Sequence, residues 1–198
     1  MALSTPATAV RQSLANGTKL RDLDPFEEFF FLTEQRLSRL SVLAGEVDGS
    51  TGIDDWHQAA GALQARYPLL SATIRKIRGQ RPFFAASDEP LTIRVLPIDT
   101  LISVEEEMQT EMQQPFGAGN RPLLRITIFH GISRSVVFIA SHHAAFDGTS
   151  NLMVMQDLLS LCRVNSLVPH FPYSPDSANF LIWKDRALTT VLSHWILR

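Results

Sequence analysis

In the stretch SHHAAFDGTS, residues 141–150, two adjacent histidines precede an Asp-Gly pair, with His143 four positions ahead of Asp147. An unperturbed imidazole, with a pKa of about 6.5, is mostly unprotonated at neutral pH, so either ring could take the proton from a hydroxyl or amine as that group attacks an acyl carbon. Asp147 could orient a histidine directly or hold the turn by pairing with an arginine elsewhere; the spacing leaves both open. Gly148 would permit a close backbone approach or a positive φ, and a helix starting there would aim its first N–H groups at the site, where they could stabilise an oxyanion. Successive side chains of a strand point to opposite faces, which keeps His142 and His143 from converging on one ion, and neither a cysteine cluster nor an HExxH helix supplies further ligands. The expectation is no metal, one histidine facing a cavity as a base and the other supporting the strand from its opposite side. The bland alternative is a strand end with an Asp-Gly cap, but two histidines closing a buried apolar strand carry a desolvation cost with no packing gain over Leu or Val. His57, His130, His170 and His194 each stand alone and read as ordinary residues.

The elements that must hold this stretch are readable from pattern. LLRITIFH, GISR and SVVFIAS form an antiparallel hairpin whose second strand ends at the histidines. DGTSNLMVMQDLLSLCRV continues as a helix with Leu152, Met155, Leu158, Leu159 and Cys162 on one face and Asp147 or Thr149 as its cap. Upstream, Asp24, Pro25, Glu27 and Glu28 mark a helix start, and Leu40, Val42 and Ala44 share one face of a strand closing at Asp48-Gly49. Ile53, Trp56, Ala60, Leu63 and Tyr67 recur at helical spacing until Pro68. A hairpin turning at Gly79, a short strand LTIRVLP and a helix with a Val104, Met108, Met112 stripe follow. Residues 1–22 read as a loose lead-in without the apolar run of a signal peptide, and the proline-rich 165–180 as a linker before a terminal helix.

Length, composition and charge narrow the function classes. With 198 residues, 45% hydrophobic and 19% charged, the chain can bury roughly two thirds of its unfolded surface without disulfides. A net charge of −2 offers no basic surface for nucleic acid, and no run of ~18 apolar residues is available to span a membrane. The single cysteine, Cys162, fits a reducing, cytoplasmic setting.

HHAAFDG resembles the HHxxxDG signature of the acyltransferase superfamily that includes chloramphenicol acetyltransferase, the condensation domains of nonribosomal peptide synthetases, wax ester synthases and polyketide-associated acyltransferases; the plant-type BAHD enzymes share its HxxxDG form. Three further stretches resemble that superfamily in the same order: LDPFEEFFFLTEQ, ALQARYPLLSATI in place of the segment around RHxxLR, and QPFGAGNRPLLRITI in place of PFDLxxxPLLR. The resemblance implies an α/β two-layer sandwich with a mixed, largely antiparallel sheet, corresponding to the N-terminal half of a two-half fold. Residues 1–164 would be the half-domain and 165–198 a linker and terminal helix, whose Phe180, Leu181, Ile182, Trp183, Trp195 and Ile196 would meet a partner or fold back on the core.

The implied activity is acyl transfer of secondary metabolism, from a thioester on coenzyme A or a carrier-protein pantetheine to a small-molecule hydroxyl or amine. Acyl-CoA or acyl-pantetheine would be a co-substrate, with no cofactor held permanently. By the resemblance His143 is the base, Asp147 maintains the site through a salt bridge to arginine, and His142 and Gly148 support the motif. Tyr67 and Ser71 replace the histidine and second arginine of RHxxLR, so Arg75 or Arg125 would partner Asp147, and the acceptor leans toward an alcohol. The partners implied are a carrier protein, a second half-domain or a second copy of the chain. The alternative is a non-catalytic half-domain or truncated fragment that binds a carrier protein or the missing half.

Overall fold

The computed structural model describes residues 17–34, 40–116, 121–162 and 167–170. Its elements run β1 (Lys19–Asp22), α1 (Pro25–Thr33), β2 (Leu40–Asp48), α2 (Ile53–Arg66), β3 (Ala72–Arg75), β4 (Phe83–Ala86), β5 (Thr92–Pro97), α3 (Val104–Met112), β6 (Leu124–His130), β7 (Arg134–His142), α4 (Gly148–Leu161) and β8 (Leu167–His170). Five strands form a mixed sheet in the order β5-β6-β7-β2-β8, in which only β5 and β6 run parallel. A second, antiparallel sheet has the order β1-β4-β3. This is the mixed, largely antiparallel α/β fold that the sequence implies.

The helices begin where their caps dictate. The Asp24 carboxylate accepts the Phe26 and Glu27 amides at 2.8 Å each, and Glu27 reaches back to the Asp24 amide at 2.8 Å, a reciprocal cap that satisfies donors left over at the start of α1. Trp56, Ala59, Ala60, Leu63 and Gln64 form the buried face of α2. Ile53, expected on that face, is 50% exposed, because it occupies the first helical position, a full turn before the first buried member of the face, Trp56. Tyr67 follows the helix; its hydroxyl donates to Asp157 of α4, and Arg66 Nη1 lies 3.0 Å from the same carboxylate, so the end of α2 is tied to the helix that follows the histidine motif.

The period of two along β7 sorts its side chains onto both faces of the large sheet. Val137 and Ile139 join Trp56 and Leu63 of α2 and Met155 and Leu158 of α4 in one core. Val136, Phe138 and Ala140 join Val42, Ala44, Phe129 and Met108 of α3 on the other face. His142 continues the even-numbered series and therefore ends β7 on the α3 side.

Three features depart from the sequence reading. Lys19–Asp22, part of the expected lead-in, is a strand: all four residues are exposed, so no apolar pattern announces it, and it exists through pairing with β4. Leu167–His170, inside the expected linker, pairs antiparallel with Ala44–Val47 of β2, and Pro169 is tolerated because β8 is an edge strand. The hairpin turning at Gly79, whose φ is +80°, stays out of the large sheet and forms the small one with β1. The terminal helix expected after 180 lies outside the described residues. Among the described residues no helix is long and apolar enough to cross a membrane.

Candidate active site

At the end of β7 one residue organises the turn. His142 takes three successive backbone donors: the Ala144 amide at 3.0 Å on Nδ1, and the Ala145 and Phe146 amides at 2.9 and 3.1 Å on its carbonyl oxygen. Its own amide donates to Leu123 O at 2.9 Å, which ties the turn to the start of β6. Asp147 then caps α4, accepting the Ser150 amide at 2.7 Å and the Ser150 hydroxyl at 2.6 Å. Its carboxyl is held below the usual range by those two bonds, which outweigh partial burial, with attraction to His143 adding to the effect. One of the amides expected to face an oxyanion is therefore already taken by the cap. Gly148 opens α4; among the described residues the glycines with positive φ are Gly17, Gly49 and Gly79, and a Cβ at Gly148 would meet nothing within 4 Å. The positive φ allowed for Gly148 is not adopted, because a helical first position does not need it.

The two histidines have different surroundings. His142 is 1% exposed, with the rings of Phe31 and Phe116 centred 6.3 and 6.4 Å from its own. Its Nε2 lies 3.1 Å from Glu34 Oε2, although the ring N–H points off the line of a well-formed hydrogen bond, so electrostatic attraction dominates the contact. The other Glu34 oxygen accepts the Phe116 amide at 3.2 Å. Burial pushes the Glu34 carboxyl upward, but His142, the Phe116 amide and the Arg125 charge outweigh it, and the group stays below the ordinary glutamate range. His143 is half-buried and lies flat against Phe30, with centroids 4.6 Å apart and planes 13° from parallel. Among the described residues no hydrogen-bond partner takes either nitrogen of His143. Both rings pack against α1 and the residue that ends it, rather than on opposite sides of the strand, because His143 already belongs to the turn.

The arginine expected beside Asp147 is not Arg125. Its guanidinium donates to the side chain and the carbonyl oxygen of Glu111, both at 2.5 Å, and stacks over Phe116. Glu111, buried on α3, also accepts the Thr127 hydroxyl at 2.7 Å and Arg94 at 3.1 Å. The alternative, Arg75, has its guanidinium against Gly17. Among the described residues the partner of Asp147 is Ser150, since a residue before a helix is within reach of that helix's own third residue. Beyond Phe116 lies a cavity of about 210 Å³ whose lining includes Arg94, Arg121, Arg125 and Thr127; no motif residue lines it. Among the described residues no group of three or more His, Cys, Asp or Glu side chains could hold a metal ion.

Sequence reasoning missed Glu34, Phe30, Phe116 and Glu111. Glu111 had a visible signal, since it follows Met108 by three positions and so falls on the same apolar stripe. Phe30 and Glu34 are separated by one helical turn, which places an aromatic and an acid on the same side of α1 and its end. Nothing local announces that this side meets residues more than a hundred positions later.

Comparison with known proteins adds the following. The family model described as Condensation domain matches residues 40–187. Polyketide synthase PksN of Bacillus subtilis (strain 168) is 28% identical over 133 residues, which cover 64% of this chain and 2% of that protein. Tyrocidine synthase 3 of Brevibacillus parabrevis is 26% identical over 121 residues, 61% of this chain and 2% of that protein. Among solved structures, the first condensation domain of the calcium-dependent antibiotic synthetase, in complex with a substrate analogue, superimposes with a TM-score of 0.61 at 19% identity, covering 73% of this chain and 39% of that one. A variant of the starter condensation domain of rhizomide synthetase, in complex with C8-CoA, gives a TM-score of 0.61 at 12% identity, covering 77% of this chain and 36% of that one. The structural likeness concerns the fold, and the chain spans well under half of either solved domain.

Proposed function

Because the chain belongs to the condensation-domain family, we propose that it transfers an acyl group from a thioester to an amine or hydroxyl with His143 as general base. The observation that supports this reading is the division of labour within the motif. His142 spends Nδ1 on a backbone amide and turns Nε2 toward Glu34, inside protein. Among the described residues nothing bonds either nitrogen of His143, a half-buried ring stacked on Phe30.

In the proposed reaction the acceptor N–H or O–H gives its proton to His143 as the nucleophile adds to the thioester carbonyl. The tetrahedral intermediate then expels the thiolate, which takes the proton back from the imidazolium. The Asp147 carboxylate, held below its usual range, is drawn to His143 electrostatically. The donor is an acyl group on a carrier-protein pantetheine or on coenzyme A, the ligand held by the rhizomide relative. Tyr67 and Ser71, which depart from RHxxLR, tilt the acceptor toward a hydroxyl. Cytoplasmic residence, a carrier protein or second half-domain as partner, and a boundary near 164/165 belong to the same proposal.

The test is incubation with acyl-CoA or acyl-pantetheine and either a primary alcohol or a primary amine, followed by mass spectrometry. The expected product is an ester or amide of the donor's acyl group. No transfer with any donor and acceptor, even after adding a polypeptide equivalent to the rest of a condensation domain, would leave a binding half-domain as the better reading.

A further inference from the structure

We infer that Glu34 is a positioning residue for the histidine motif: its carboxylate fixes the His142 ring as the Nε2–H tautomer, and that tautomer keeps the turn carrying His143 gathered on His142. The Ala144 amide donates to His142 Nδ1 at 3.0 Å, so Nδ1 must offer a lone pair; a proton there would set two donors against each other. The single proton of a neutral ring therefore sits on Nε2, the atom 3.1 Å from Glu34 Oε2.

Glu34 is suited to this by its chemistry. Two donors converge on its side chain, the Phe116 amide at Oε1 and the His142 ring at Oε2, and a carboxylate offers two acceptors where a carboxamide offers one acceptor and one donor. The side chains of His142 and Glu34 are 1% and 7% exposed, so water is a poor substitute. The imperfect alignment of the ring N–H also favours a charged acceptor, whose attraction depends less on angle than that of a neutral oxygen. Arg125, held by Glu111, faces the same carboxylate and helps to keep it ionised. Loss of the Nε2–H tautomer would release the Ala144 amide and loosen the turn that presents His143. This catalytic consequence rests on the reading of His143 as the base; the tautomer itself does not.

The test is a long-range ¹H–¹⁵N spectrum of the histidine-labelled chain at about pH 8, above the ordinary imidazole pKa of about 6.5, with amide exchange measured in parallel. The expected wild-type result is His142 as the Nε2–H tautomer. In Glu34→Gln the Nδ1–H form should gain population, and the amides of Ala144, Ala145 and Phe146 should exchange about tenfold faster, the effect of losing one hydrogen bond of ordinary worth. Exchange at Leu158 and Leu159 in α4 should be unchanged. An Nδ1–H ring in the wild type overturns the inference without any variant, which covers the case of a Glu34→Gln protein that fails to fold. A folded Glu34→Gln variant with an unaltered His142 spectrum and unaltered 144–146 amides overturns it equally. His143→Ala separates the two readings: retained turnover in that variant defeats the base assignment while leaving the His142 tautomer where it was.

Discussion

Replacing Glu111 by Ala should be among the most destabilising substitutions in the chain that leave the aliphatic core untouched. The Glu111 side chain is 1% exposed and Arg125 13%, so truncating the acid strands a largely buried guanidinium that retains the Glu111 carbonyl oxygen, the Phe116 ring face and the more distant Glu34 charge. Breaking a buried pair from one side costs about 3–5 kcal/mol. Arg94, 43% exposed, adds little because water screens it. With a urea m-value of roughly 2 kcal/mol/M, the midpoint should fall by about 2 M. The control is Asp22→Ala, which removes the Lys19 pair, half exposed on both sides, and should cost under about 1 kcal/mol. Acid adds a second signature. Burial raises the Glu111 carboxyl, but the Thr127 and Arg125 hydrogen bonds outweigh it, and the folded group lies below its unfolded value of about 4.3. The native state then binds fewer protons than the unfolded chain in that window, so this contribution is complete above about pH 4.3 and is lost as pH falls through the folded value. Glu111→Ala should flatten that part of the acid profile. Urea melts followed by circular dichroism and by the fluorescence of buried Trp56 measure both effects; a loss no larger than that of Asp22→Ala would refute the reasoning.

The motif and its helix give further expectations. Asp147→Ala should cost about 1 kcal/mol for the lost helix cap, while Asp147→Asn, which caps nearly as well, should cost a few tenths; equal losses in urea melts would point to a charge partner in place of Ser150. Gly148→Ala should be neutral or stabilising by up to about 1 kcal/mol, because the position is helical with open space at its Cβ, and a clear drop in melting temperature would reveal a backbone constraint. Cys162 is buried and its thiol is pushed up to about 12, mainly by burial with Asp55 adding to it. The native chain should therefore react with Ellman's reagent only as fast as it opens, and immediate stoichiometric labelling would contradict that.

What the sequence disclosed follows from the range over which each cause acts. Asp24-Pro25, the α2 periodicity, the β6–β7 hairpin and the α4 face are set by residues within a turn or two of each other, and they are where pattern placed them. β1 and β8 are set by distant pairing: an exposed Lys-Leu-Arg-Asp and a proline-bearing Leu-Val-Pro-His carry no strand signal of their own. The site divides in the same way. His142, His143, Asp147 and Gly148 are contiguous and legible, whereas Glu34, Phe30 and Phe116 reach them from other parts of the chain. Neither Arg75 nor Arg125 meets Asp147 among the described residues, where its local partner is Ser150, three residues on.

The most direct test of the account is turnover by His143→Ala in the acyl-transfer assay. If this ring is the base, the rate should fall by roughly 10²–10⁴-fold with the fold intact. A His143→Ala protein that transfers acyl groups at the wild-type rate would contradict it.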